Sequence, residues 1–302
     1  MTRVMLISNP RAGSVSPRVR EVIAKALAAD FKLETHVTRS RSHAMELSGQ
    51  AVADGFEAVF VFGGDGTVNE AAQPLVGTDV ALGILPGGTT NVLASSLGIP
   101  VDPVEATAFL ASHLRSGTKR RIGVGSVEGR YFLFTCGIGL DAEVVRRVEQ
   151  EVAERGKKSH WTFLKHALAA GSTDYRTTEG WLTVQVDDGE PYKAMLSIAC
   201  NAWPFTYFKG LPVDVCPEAR LDTALDLLSL ERLRVGTIPR IAWAVLVSRS
   251  HVRWKRTHYH HDISTVTWTA DEPRPVQVDG DYIGEWTSAE LRHVPDALDL
   301  LV

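Results

Sequence analysis

The chain has 302 residues, a formal net charge of −4 at pH 7 and a pI near 6.2, so no global basic field marks it as a nucleic-acid binder. Three cysteines, Cys136, Cys200 and Cys216, lack any C-x-x-C spacing and read as reduced core residues of a cytoplasmic protein. Neither a signal-peptide pattern nor an apolar run of spanning length is present, which predicts a soluble or peripheral protein whose membrane contact is local.

Val4–Ile7 reads as a short strand, followed by the small-residue loop Ser8–Ser14 and an amphipathic helix over Pro17–Ala29. Strand Leu33–Thr38, helix Ser40–Ala53 and the fully apolar strand Ala58–Phe62 continue the alternation. Gly63-Gly64-Asp65-Gly66 then turns the chain into a helix over Thr67–Leu75. Strand Val80–Leu85 ends in Pro86-Gly87-Gly88-Thr89-Thr90-Asn91, and helices Val92–Leu97 and Pro103–Leu114 follow. Repeated strand, loop and helix units imply a mostly parallel sheet whose ligands bind at the carboxyl ends of the strands.

Beyond Arg121 the pattern changes to short alternating runs at Tyr131–Cys136, Trp181–Val186, Met195–Cys200, Leu225–Leu230, Val252–Arg256, Val266–Thr269 and Val276–Val278. Helical stretches interrupt them at Asp141–Glu154, Ser159–Ala170 and Ile238–Ser250. The expected architecture is therefore α/β plus all-β: a parallel-sheet α/β domain over residues 1–121 and an antiparallel β-sandwich domain over 122–302. The active cleft is expected between them.

The glycine turn at Gly63–Gly66 carries the chemistry. Glycines let backbone N–H groups approach a ligand with no Cβ in the way, and the helix start adds unpaired donors and the positive end of its dipole. Phosphate suits such a cradle, but Asp65 inside it repels bare phosphate. Its presence points to a metal-bridged nucleotide or to proton abstraction beside one. An isolated Gly-Asp-Gly is also common turn chemistry with an Asp capping the next helix.

Here it has companions in a fixed order: Asn9-Pro10-Arg11-Ala12-Gly13, Gly63-Gly64-Asp65-Gly66-Thr67 with Asn69-Glu70, Leu85 to Asn91, and Gly137-Ile138-Gly139-Leu140-Asp141-Ala142. Leu221-Asp222-Thr223-Ala224-Leu225-Asp226 and Gln277-Val278-Asp279-Gly280-Asp281 complete the set. This ordered set resembles the diacylglycerol kinase and sphingosine kinase catalytic domain, in particular its soluble bacterial lipid kinase branch, over nearly the whole chain. The resemblance implies transfer of the ATP γ-phosphoryl group to a lipid hydroxyl, with Mg²⁺ as cofactor and transient contact with the inner leaflet of a membrane.

Carried over by position, the resemblance assigns ATP binding to Asn9, Pro10, Arg11, Gly13, Thr38, Gly63, Gly64, Asp65, Gly66, Thr67, Asn69, Glu70, Gly88, Thr89 and Asn91. Asp65 would also hold Mg²⁺. Asp281 stands where the family's proton-accepting glutamate stands, with Asp279 beside it as a second candidate; Asp279-Gly280-Asp281 also reads as a plain β-turn. Asp141 matches a position near the lipid head group and equally reads as a helix N-terminal acid. Asp222 matches a structural magnesium site, with Thr223 where the family has glycine. Val92 and Gly123 replace acids carried by soluble bacterial members, which thins the acidic network. A nicotinamide-dinucleotide kinase and a nucleotide- or lipid-binding regulatory protein are the alternatives. The oligomeric state is open, a homodimer included.

Two further patterns invite bland explanations. His258, His260 and Asp262 share a strand face, with His261 on the other, as a metal site or a solvated face would. Trp161, Phe163, Leu164 and Leu168 with Lys157, Lys158, Lys165 and His166 form a basic amphipathic helix suited either to an anionic membrane or to packing on the sandwich.

Overall fold

The computed structural model describes residues 1–155, 166, 180–208, 210–232 and 238–302. The expected helix Ser159–Ala170 therefore lies outside the described residues, apart from His166. The chain divides into two units, Met1–Val124 with Val294–Val302, and Gly125–His293.

In the first unit the elements alternate as β1 (Arg3–Ser8), α1 (Pro17–Asp30), β2 (Lys32–Val37), α2 (His43–Ala53), β3 (Ala58–Gly63), α3 (Asp65–Ala72), β4 (Ala81–Pro86), α4 (Val92–Ser96) and α5 (Pro103–Ser116). The strands are parallel in the order β4-β3-β1-β2. Every residue of β3 and β4 is buried, the signature of strands covered on both faces, and this is why both read as unbroken apolar runs. Helix starts follow local chemistry. Ser16 accepts from Val19 N ahead of Pro17, and Asp102 accepts from Val104 N and Glu105 N ahead of Pro103.

The second unit is mainly antiparallel. Strand β5 (Arg120–Val127) leads into it, followed by β6 (Arg130–Phe132), β7 (Thr135–Gly139), α6 (Leu140–Arg155), β8 (Leu182–Val186), β9 (Tyr192–Ala194) and β10 (Leu196–Cys200). A small hairpin, β11 (Thr206–Phe208) and β12 (Leu211–Val213), precedes β13 (Leu225–Leu230) and α7 (Ile238–Trp243). Strands β14 (Thr257–Ile263), β15 (Thr265–Val278) and β16 (Asp281–Leu300) close the chain. The order β14-β13-β10-β7-β15 is antiparallel throughout, with β8 on the first half of β15 and β16 along its other edge. Trp268 is its largest fully buried side chain, and its indole N–H donates to Ser197 Oγ at 3.0 Å, so the polar end is satisfied inside the core.

Several expected elements differ. The strand expected over Tyr131–Cys136 breaks at Leu133 and Phe134, because their amides turn aside to a carboxylate. No strand forms over Val252–Arg256. Ser250–Arg253 is a 3-10 turn, fixed by buried His251, whose Nε2 lies 2.9 Å from Val215 O. The single helix expected over Ile238–Ser250 is α7 followed by a π-helical turn, Ala244–Ser248. Val266–Thr269 and Val276–Val278 belong to one strand, interrupted in its pairing between Thr269 and Arg274. The last residues, read from sequence as part of the β-rich half, lie in the first unit, where Leu300 pairs with Leu82 beside β4.

Candidate active site

In the first unit the strands end together. Ser8 lies opposite Val37 on one side and Phe62 on the other, and Gly63 lies opposite Pro86, so the loops after β1 to β4 leave one edge of the sheet. The chain runs from β1 outward to β2, then returns past β1 to β3. That reversal is where an open α/β sheet forms a ligand crevice.

Two glycine loops meet there. A Cβ on Gly88 would lie 2.8 Å from Gly64 Cα, and one on Gly87 would lie 3.0 Å from Gly63 N, so the backbones approach as only glycine permits. Gly87 N donates to Gly63 O at 2.9 Å, and Asn91, held at φ 46, accepts from Gly88 N at 2.8 Å and donates to Gly88 O at 3.0 Å. The loop after β1 is tied to the same place. Asn9 Nδ2 donates to Thr67 Oγ1 at 2.8 Å, Asn9 Oδ1 accepts from Arg11 N, and Ser14 N donates to Gly87 O. Thr38 N donates to Ser8 O, and Glu70 accepts from Ser42 N at 2.9 Å.

Helix α3 begins at Asp65, two positions earlier than the sequence suggested, so Asp65 stands in the first turn. Gly64 precedes it without a side-chain cap. A first turn leaves N–H groups that the helix itself does not satisfy, at the positive end of its dipole. Arg11, Gly13 and Thr89 are exposed around this end, while Thr67 and Asn69 are buried supports. Ser8 Oγ is buried with no hydrogen-bond partner among the described residues.

The acids of the second unit form a separate cluster. Asp141, in the first turn of α6, accepts from Gln277 Nε2 at 3.1 Å, and its Oδ1 is buried with no hydrogen-bond partner among the described residues. Burial pushes its carboxyl up to about 6, against the lowering effect of the Gln277 hydrogen bond. Gly137 makes this placement feasible, since a Cβ there would lie 1.9 Å from Asp141 Oδ2. Gln277 is 1% exposed and its Oε1 accepts from Gly280 N at 2.8 Å, so one side chain joins Asp141 to the turn between β15 and β16.

That turn is Asp279-Gly280, both at positive φ (50 and 81), as a two-residue hairpin loop requires. Asp279 is 5% exposed, and its carboxylate accepts from Leu133 N at 2.8 Å and from Phe134 N and Thr135 N at 2.9 Å. Three backbone donors take up three of the roughly four acceptor sites of the carboxylate, two on Oδ1 and one on Oδ2. This geometry gives Asp279 an anchoring role between the hairpin and the start of β7. Asp281 opens β16 and is partly exposed.

Asp222 is exposed, and among the described residues no three His, Cys, Asp or Glu side chains gather as a metal set. Two of the three histidines of β14 have acidic partners, while His260 Nε2 is buried with no hydrogen-bond partner among the described residues. His258 stacks on Tyr192 at 3.9 Å and pairs with Glu231, while His261 Nδ1 lies 2.7 Å from Asp226 Oδ1. Asp262, at φ 58, accepts from Ala224 N at 2.7 Å. Gln277 and Gly137 are residues to which sequence reasoning gave no individual role. Their signal was the Gln-x-Asp-Gly spacing and a glycine four positions before an acid.

Residues 3–127 match the family profile of the diacylglycerol kinase catalytic domain. A Bacillus subtilis (strain 168) protein named diacylglycerol kinase is 31% identical over 295 residues, covering 94% of this chain and 91% of that protein. A Pseudomonas aeruginosa (strain UCBPP-PA14) protein named as a YegS-like lipid kinase is 31% identical over 151 residues, 49% of this chain and 48% of that one. The crystal structure of a diacylglycerol kinase from Bacillus anthracis strain Sterne shares the fold, with TM-score 0.72 and 21% identity over 99% of this chain and 96% of that chain.

Proposed function

Because the chain belongs to the diacylglycerol kinase family, we propose that it transfers the γ-phosphoryl group of ATP to the hydroxyl of a membrane lipid of the diacylglycerol or sphingoid class. The observation that carries this reading is the meeting of Gly64 and Gly88 at the start of α3, with Asp65 in its first turn. Backbone amides and the hydroxyls of Thr67 and Thr89 suit phosphate oxygens, and the one carboxylate suits a divalent metal carried by them. The donor set fits ATP with Mg²⁺; the orphaned Ser8 hydroxyl beside the loop agrees with a polar guest. Mg²⁺, when bound, would neutralise charge on the transferring phosphate.

Asp65 would hold that metal, and Asn9 would fix the loop after β1 through Thr67. In the reaction the lipid oxygen bonds to the γ-phosphorus as the bond to the β-phosphate oxygen breaks, and the hydroxyl proton passes to Asp281. Asp141, with an unpartnered acceptor oxygen, would take a hydrogen bond from the lipid head group. The acceptor's location implies transient contact with the inner leaflet; no helix among the described residues is long and apolar enough to cross a membrane.

Purified protein should transfer label from ATP, with Mg²⁺, to one of a panel of micellar diacylglycerol, monoacylglycerol and sphingosine. Asp65→Asn should lower kcat/KM by on the order of 100-fold or more. Label on nicotinamide dinucleotide instead would move the chain to dinucleotide kinase chemistry. ATP binding without transfer would favour a regulatory lipid-binding protein, a reading supported by Val92, an aliphatic side chain 3% exposed at the start of α4.

A further inference from the structure

We infer that a cationic pocket of the second unit, between α7 and the start of β14, docks the phosphate headgroups of anionic phospholipids at a membrane surface. The pocket has a volume of about 530 Å³ and is lined by Arg232, Arg240, Arg253, Lys255 and Arg256. Among the described residues none of these five forms an ion pair. The adjacent acid, Glu231, is engaged by His258 Nε2 at 3.1 Å. Arg240 lies over the Trp254 ring at 4.5 Å, which fixes its guanidinium beside the cavity.

Five exposed cations around one concavity repel one another, a repulsion that solvent screens in part. The chain as a whole carries a net charge of −4, so this concentration of positive charge is local rather than a reflection of composition. An anion inside the pocket removes the repulsion and satisfies several donors at once.

The surroundings identify the anion's source. Trp243 and Val247 are 63% and 59% exposed, and they follow Arg240 at intervals of three and four along one helical segment. A soluble phosphate needs no projecting indole and valine, whereas a lipid surface offers headgroups and an apolar boundary together. Nucleic acid fits less well, since Trp254 is covered by Arg240 and cannot stack on a base.

The test is sedimentation with sucrose-loaded vesicles, without nucleotide, so its outcome is independent of the transfer reaction. Wild-type protein should sediment with phosphatidylcholine vesicles containing phosphatidylglycerol and stay in solution with phosphatidylcholine alone. Replacing Arg253 and Lys255 together by Gln should weaken vesicle binding on the order of 20-fold, from about fivefold per charge near an anionic surface. Trp243→Ala should weaken it as well, while both variants keep the wild-type melting temperature. Vesicle binding unchanged by the double substitution would overturn the inference. So would saturable binding of soluble glycerol phosphate with no sedimentation, or tighter binding of a single-stranded oligonucleotide lost in the same variant.

Discussion

Gly64 and Gly88 come together backbone against backbone: a Cβ on Gly88 would lie 2.8 Å from Gly64 Cα and 3.0 Å from Asn91 Oδ1. Gly64 Cα is backbone and cannot yield, and the Asn91 side chain is held in place by its two hydrogen bonds to Gly88. Gly88→Ala is therefore expected to cost about 1–3 kcal/mol of stability through overpacking, and to weaken ATP binding by pushing the two loops apart. Gly13 has no atom within 4 Å of its would-be Cβ, so Gly13→Ala should stay within about 0.5 kcal/mol of wild type. Urea midpoints for the two variants, measured side by side, check the contrast.

The hydrogen bond from Asn9 Nδ2 to Thr67 Oγ1, 2.8 Å long, joins the loop after β1 to α3. Asn9→Ala leaves the buried Thr67 hydroxyl without this donor and should cost about 1 kcal/mol while raising KM for ATP more than it lowers kcat. A double-mutant cycle with Thr67→Val should show a coupling energy on the order of 1 kcal/mol; additive effects would deny the link.

Asp279 and Asp281 sit two positions apart and should fail differently. Asp279→Asn sets an amide NH₂ group against a backbone donor and should lose on the order of 2–3 kcal/mol of stability, since hydrogen bonds to a charged acceptor are the stronger kind. Asp281→Asn should abolish most transfer with a smaller change in stability. Equal stability losses in both variants, or full transfer by the Asp281 variant, would contradict these roles.

Asp141 makes stability depend on pH. Its folded carboxyl titrates near 6 and its unfolded one near the ordinary 3.8, so between those values the folded protein holds more protons. Stability contributed by this group is thus present at low pH and falls as pH rises from about 4 to 6, by up to about 3 kcal/mol. Asp141→Asn should flatten that part of the profile and raise the melting temperature at neutral pH, while impairing use of the lipid acceptor. A profile unchanged by the substitution would rule out Asp141 as its source.

Much of this was legible in local sequence. The alternation of apolar runs and glycine turns gives β1 to β4 and their helices, because a parallel sheet needs both faces covered and its loops need glycine where backbones meet. The start of α3 was misplaced by two residues, since glycines flanking Asp65 read as turn. What escaped depends on distant partners. Nothing near Leu133 and Phe134 announces that their amides serve Asp279, and nothing near Gly137 states that its missing side chain makes room for Asp141. Nothing near His261, on the strand face opposite His258 and His260, announces the buried Asp226 beside it.

The return of Val294–Val302 to the first unit has a bearing on how the protein is made. Leu300 pairs with Leu82 on the edge of β4, and Asp299 pairs with Arg121 at 3.3 Å and Lys119 at 3.6 Å. A ribosome emits β4 long before it emits Leu300, with the entire second unit in between. The first unit therefore keeps this strand edge open until Val294–Val302 has been made. A chain stalled before residue 294 leaves the β4 edge at Leu82 without that partner, an open strand margin of the kind that invites wrong pairing.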